Sequence, residues 1–413
     1  MKLLVFAHTP PPHHGQSYMI QLMLQGFGGD LRKTARSGAA AASPHGLECY
    51  HVNARVSRQM DDIGGLRPGK VLLLLGHCAQ AIWCRFRYGV KTMYYVPAPG
   101  KPSAVYRDWL VMLLCRPFYP RVIFHWHAAG LGSWLETHVQ MRARSMLYQR
   151  LRDVSLSIVL SDYSAGDARK FTPRAIIPVN NGIPDPCPDF DRVIAPRRAA
   201  RLAARQKLAA GGAPTEGERR EAGGDPEIFR ILYVAHCTRD KGLFDTVEGV
   251  LRANRELRAR QSPLRLEVRI IGQFVDAEER REFDALLAGP EAQAAVQLLG
   301  YVSAEAKFAA FAAADLFCFP SYYANENQPA NLLEAIAFGL PCLTTRWRGI
   351  PEIFPADYPY FVPIRSPEAV ATALVAGLLA AEPAATYRGL FLARFVLEQH
   401  LRALAAAIRS VES

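Results

Sequence analysis

Short runs rich in β-branched and aliphatic residues, at positions 2–7, 71–75, 92–96, 121–127, 155–160 and 175–179, alternate with longer stretches of helical pattern. Such alternation is the signature of a parallel sheet, because parallel neighbours need a crossover long enough to return to the same end. The pattern stops near residue 196, where Ala, Arg, Gly and Glu take over as far as Pro226. It restarts with apolar runs at 230–234, 266–271, 296–299, 316–320 and 340–344. The chain therefore reads as α/β, with two doubly wound domains. The expected bounds are 1–190 for the first domain, 191–228 for a linker and 229–385 for the second. A helix within 386–413 should pack back on the first, since apolar positions in 387–409 recur at three and four residues. A length of 413 residues with 50% apolar content supports two cores of ordinary size. A ligand is expected in a cleft at the carboxyl ends of the two sheets.

Several classes are disfavoured. The aliphatic runs at 71–75 and 154–160 are too short for a membrane span, which needs about 20 apolar residues. The N-terminal run ends in His8-Thr9-Pro10-Pro11-Pro12 with no small-residue cleavage site, so it reads as a buried strand and not as a signal peptide. Eight cysteines with no C-x-x-C pair read as reduced core thiols, which suits the cytosol. Net charge is +11. Residues 1–190 hold 22 Lys+Arg against 11 Asp+Glu, and the remainder is balanced at 27 of each. That field suits an anionic partner such as an acidic membrane surface, while no nucleic-acid module accompanies it. Residues 107–121 mix cations, aromatics and aliphatics, as an interfacial helix would. A core helix with basic ends has the same composition.

Residues 320–341 read PSYYANENQPANLLEAIAFGLP. Pro329 fits the first position of a helix, where its missing N–H costs nothing, and Gly339 fits just past the end. The start then falls near Gln328, and the N–H groups of Ala330, Asn331 and Leu332 form an anion-binding helix end. Glu326 stands on the preceding loop and Glu334 about a turn and a half inside the helix. Phosphate on the helix start and carboxylates accepting from paired hydroxyls together match a nucleotide sugar. Taken alone the pair is explained as well by a surface charge and a favourable charge in the first turns. The neighbouring segments decide between the two.

Pro320-Ser321, then Glu326 and Glu334 eight positions apart, and later Gly339-Leu340-Pro341 resemble the E-x7-E signature of retaining GT-B glycosyltransferases, the glycosyl transferases group 1. Residues 296–302, Ala314-Asp315 and Gly349-Ile350-Pro351-Glu352 match further family segments in order. The resemblance implies GT-B architecture, two Rossmann-like domains facing a central cleft. It assigns Glu326 to hydroxyls of the donor sugar and Glu334 to the ribose, with Gln328, Pro329, Ala330, Asn331 and Leu332 lining the donor. Residues 231–242 resemble the family's strand and G-R-x-x-x-x-K-G loop, which places Lys241 on the donor diphosphate. Ala235 stands where glycine is usual and His236 where arginine is usual. Either Arg239 or His236 would then supply the second donor. Gly15 matches the loop that lines the diphosphate, although Gln16 replaces its second glycine. Residues 125–130 resemble H-x-H-x-x-G, which sets His127 beside the donor sugar. The His125/His127 pair has no third ligand at a metal spacing, so no metal is expected. Asn180-Asn181-Gly182 reads as a structural turn.

The function implied is retaining, metal-independent hexosyl transfer, with no cofactor, from a nucleoside-diphosphate sugar to a hydroxyl of a glycan or lipid-linked acceptor. Cell-surface polysaccharide or glycolipid synthesis is the expected setting, in the cytosol or at the inner face of the membrane. The alternative is a nucleotide-sugar-binding protein with impaired turnover.

Overall fold

The computed structural model describes residues 1–11, 15–34, 45–55, 68–380 and 384–412. The chain divides into two compact units. The first comprises Met1–Pro184, Ala324–Gln328 and Phe395–Ser413, and the second Asp185–Tyr323 and Pro329–Arg394.

The first unit holds six parallel strands: β1 (Lys2–Ala7), β2 (Glu48–Asn53), β3 (Thr92–Tyr95), β4 (Arg121–Trp126), β5 (Leu156–Val159) and β6 (Ile176–Pro178). Their order is β2-β1-β3-β4-β5-β6. Helices cover both faces, so successive side chains of one strand enter different cores. Leu4, Phe6, Met93, Tyr95 and Phe124 pack into one, and Leu3, Val5, Tyr94, Ile123 and Ile158 into the other.

The second unit is a parallel sheet of β7 (Ile228–Val234), β8 (Arg265–Ile271), β9 (Val296–Gly300), β10 (Leu316–Phe319), β11 (Cys342–Thr345) and β12 (Phe361–Val362). Its order is β12-β11-β10-β7-β8-β9. Counted from its own first strand this is 6-5-4-1-2-3, the Rossmann order. The order reverses between β7 and β10.

Three expectations need correction. Residues 71–75, read as a strand, lie in the helix Pro68–Tyr88, which buries Leu74, Cys78, Ala81 and Cys84. The strand filling that place in the sheet is β2, whose polar sequence ECYHVN conceals its burial. Residues 191–228 are no linker. The helices Ala195–Ala209 and Glu216–Ala222 belong to the second unit, and Arg201 and Arg205 of the former are buried on Asp315 at 2.8 and 2.9 Å. The C-terminal segment is two helices and not one. Ala384–Arg394 stays with the second unit, where Arg388 pairs with Asp185 at 2.6 Å. Leu397–Arg409 joins the first unit and lays Leu401 across Gly26, where a Cβ would come within 2.3 Å of the leucine.

All eight cysteines are buried and none is in a disulfide. Among the described residues no helix is long and apolar enough to cross a membrane.

Candidate functional site

In the second unit the loops that follow β7, β8 and β10 are built against one another. Gly242 has φ +79°, and a Cβ there would lie 2.5 Å from the Pro320 carbonyl oxygen. The β7 loop and the β10 loop thus touch backbone to backbone. The Tyr322 N–H donates to the Asp240 carbonyl at 2.8 Å, and Ser321 Oγ reaches the same oxygen at 3.4 Å. On the other side a Cβ at Gly272 would fall 1.8 Å from the Ala235 carbonyl oxygen, and the Cys237 N–H donates to Gln273 at 2.9 Å. Only glycine permits either approach.

Lys241 ends the short 3-10 turn Arg239–Lys241. Its ammonium stands 4.2 Å from the centre of the Tyr323 ring and 5.8 Å from that of Phe319. Aromatic faces hold a cation in place without neutralising it. The helix after β10 runs Ala330–Ala337, with Pro329 as its N-cap (φ −68°, ψ 127°), one or two residues later than the start expected near Gln328. Asn331 ties that helix start to the neighbouring strand, donating from Nδ2 to the Val234 carbonyl at 2.7 Å. Its Oδ1 accepts the Leu332 N–H at 2.8 Å, so this amide, expected to meet the donor, already has a partner. Lys241 and the start of the Ala330–Ala337 helix therefore share the carboxyl ends of β7 and β10, where the strand order reverses. In open α/β sheets that is where ligands bind.

Glu334 lies on the same helix, buried, with an ion pair to Lys307 at 2.6 Å. Burial raises its pKa and the Lys307 charge offsets part of that rise. Sequence reading missed Lys307, Gly272 and Tyr323. Only a partner search around a buried carboxylate would have found the first. Arg239 is turned away from the role considered for it. Its guanidinium pairs with Glu282 and stacks 3.9 Å from the Phe244 ring, beside an open depression lined by Asp240, Asp276, Glu278, Glu279 and Glu282. A depression with that lining repels phosphate. His236 follows β7, and desolvation of its ring, then the Lys241 charge, lowers its pKa. It is a neutral hydrogen-bonding group near pH 7 and not a second cation.

Gly15, His127, Glu326 and Gln328 belong to the first unit. Gly15 opens the helix Gly15–Gly26, and a Cβ there would meet nothing within 4 Å. The preceding Pro12, His13 and His14 lie outside the described residues. His127 follows β4 with its ring 4.2 Å from that of His125, which is buried and bonded through Nδ1 to the Tyr94 hydroxyl. Burial and then the His127 and His400 charges hold His125 well below the usual histidine pKa. Among the described residues no three His, Cys, Asp or Glu side chains cluster as metal ligands.

Residues 324–328 are stitched across three strand ends. Asn327 Oδ1 accepts from Ser161 and Ser164 Oγ at 2.9 and 2.7 Å after β5, and its Nδ2 donates to the Trp126 carbonyl of β4 at 3.3 Å. Gln328 donates to Asn180 Oδ1 at 2.9 Å and accepts the Asn181 N–H at 2.5 Å after β6. Glu326, expected on the loop before the helix, lies on it and is buried in this segment. Asn327 thus holds it at the strand end that leads into His127. Gln328, expected to line the donor, is committed to anchoring the loop. The Asn180-Asn181 turn is its partner.

Two Rossmann-like sheets in one chain invite comparison with solved structures. A sucrose-phosphate synthase from Thermosynechococcus elongatus superposes with a TM-score of 0.66 at 16% identity, covering 100% of this chain and 99% of that one. The Anabaena protein HepE, in complex with UDP and glucose, gives 0.62 at 14% identity, covering 99% and 100%. The fold is GT-B. Residues 215–384, which make up most of the second Rossmann-like unit of this GT-B chain, match the family model Glycosyl transferases group 1. The putative colanic acid biosynthesis glycosyltransferase WcaL of Escherichia coli (strain K12) is 29% identical over 153 residues. That match spans 36% of this chain and 36% of the length of WcaL.

Proposed function

We propose that the protein is a retaining glycosyltransferase that moves a sugar from a nucleoside diphosphate to a hydroxyl of a glycan or lipid-linked acceptor. The observation that carries this reading is the joint position of Lys241 and the Ala330–Ala337 helix start at the strand-order reversal of a Rossmann sheet. A fixed cation and a helix N-terminus there suit a diphosphate, and Glu334 on the same helix suits a ribose. The family match over residues 215–384 covers all of these groups.

In the proposed reaction the bond between the anomeric carbon and the diphosphate oxygen breaks. Negative charge then grows on the diphosphate and Lys241 stabilises it. The acceptor oxygen bonds to the same face of the anomeric carbon, and its proton passes to the departing phosphate oxygen. No side chain acts as a nucleophile and no metal ion is required, so chelation with EDTA leaves the rate unchanged. His127 and Glu326 take the donor-sugar hydroxyls, and the alternative of a binding protein without turnover fails if donor is consumed. Incubation with radiolabelled nucleotide sugars and no acceptor tests this, because a transferase leaks donor slowly to water. Release of free sugar, lost in Lys241→Ala, is expected. Stable donor that binds but never turns over would overturn the enzyme reading.

A further inference from the structure

The helix Pro68–Tyr88 packs on the first unit through Leu74, Cys78, Ala81 and Cys84, so its opposite side faces water. That side is not polar. Leu72 (69% exposed), Leu75, Ala79, Trp83 (51%) and Phe86 (69%) recur at intervals of three and four residues and form a single stripe. At 1.5 Å per residue the stripe runs about 21 Å. Phe118 extends it at one end, edge-on to Phe86 at 5.9 Å. A contiguous apolar stripe on the water-facing side of a helix marks an interaction surface.

The charge around the stripe says what covers it. From Pro68 to Arg107 the sequence has no Asp or Glu, while Lys70, Arg85, Arg87 and Lys91 flank the two ends of the helix. Arg87 and Lys91 are exposed. Two copies meeting face to face through this stripe would set the cations at the helix ends of one against those of the other. An anionic bilayer takes both features at once, the side chains entering the acyl boundary and the cations meeting headgroup phosphates. The helix is not apolar enough to cross a membrane, and its other face is committed to the core, so it lies in the interface plane.

We propose that the solvent face of the Pro68–Tyr88 helix docks the protein on an anionic phospholipid surface. The surface is distinct from residues 107–121, whose composition suits an interfacial helix and a core helix alike. There Asp108 is buried, pairing with Arg107 at 2.9 Å and accepting the Tyr95 hydroxyl at 2.6 Å, which makes that helix part of the core. The inference stands apart from the transfer reaction and does not rest on it.

Co-sedimentation of the full chain with vesicles of phosphatidylcholine and phosphatidylglycerol in equal parts, and of phosphatidylcholine alone, tests it. Wild-type protein is expected to bind the anionic vesicles at least tenfold more tightly than the neutral ones, and to lose that binding as salt rises. The variant Leu72→Glu/Trp83→Glu/Phe86→Glu, altered only at exposed positions, should bind at least tenfold more weakly with an unchanged unfolding midpoint. Arg87→Glu/Lys91→Glu should lose the preference for anionic lipid, which keeps the proposal testable if the triple variant fails to fold. Equal binding to both vesicle types would overturn it. So would a wild-type dimer in gel filtration that ignores vesicles and is split by the triple variant, since that assigns the face to a second copy.

Discussion

A methyl group at residue 242 would lie 2.5 Å from the Pro320 carbonyl oxygen, on a backbone whose φ of +79° already disfavours a side chain. Gly242→Ala should therefore cost about 1–3 kcal/mol. A fall of several degrees in the unfolding midpoint would show it, with weaker nucleotide binding because the β7 and β10 loops can no longer close on each other. Lys241 differs in kind, since it lies on aromatic rings at the site and its charge is the feature in use. Lys241→Ala should lower the transfer rate at saturating donor by roughly 10²–10³, with the unfolding midpoint nearly unchanged. Steady-state kinetics beside a melting curve separates the two substitutions. At this scale Glu334 and Lys241 were legible because their spacing repeats a motif. Lys307 was not, for it is 27 residues from its partner and only the fold brings them to 2.6 Å.

Among the elements, the helix Ala195–Ala209 shows how composition misleads. Its arginines fall in the stretch that reads as a linker, yet Arg201 and Arg205 are almost fully buried on the single carboxylate of Asp315. Arg198 binds the carbonyls of Phe338 and Gly339 at 2.7 and 2.9 Å, and burial pulls its pKa down to about 10. Asp315→Ala leaves two cations without their partner and should cost about 3–5 kcal/mol in urea unfolding, more than a surface ion pair contributes. The run at 71–75 failed for a different reason. Five apolar residues fit a buried strand or a helix equally, and only the exposed stripe continuing to Phe86 distinguishes them. The helix Leu397–Arg409 carries a pH dependence. His400 is buried and its Nδ1 lies 2.6 Å from the Asn180 carbonyl. Burial lowers its pKa from 6.5 to about 4, against the raising effect of that hydrogen bond. The unfolded chain binds the proton first, so this contribution is fully present above pH 6.5 and is lost as pH falls toward about 4. The loss amounts to roughly 3 kcal/mol. Stability measured from pH 7 to 4 should fall less steeply in His400→Asn than in the wild type.

For the whole molecule, the doubling of the α/β pattern was readable because each parallel strand needs its own crossover, and that rhythm survives in the sequence. Where the chain passes from one unit to the other was not readable. The boundary at Pro184 and Asp185, the return at Arg394 and Phe395, and the assignment of Ala324–Gln328 to the first unit depend on contacts between distant residues, such as Asn327 with Ser161 and Ser164. Glu326 and Glu334 sit eight residues apart, and the sequence sets them on either side of one helix start, Glu326 on the loop before it and Glu334 inside the helix. The structure places them in different units, Glu326 in the stitched loop and Glu334 on the helix that follows. Every step proposed for the reaction requires that the carboxyl ends of β7 and β10 hold a nucleoside diphosphate. Titration calorimetry with UDP, GDP, ADP and CDP against the wild type, Lys241→Ala and Glu334→Gln measures this. One diphosphate should bind the wild type and lose at least tenfold in affinity in each variant. Binding that is unchanged in both variants, or no binding of any of the four, would contradict it.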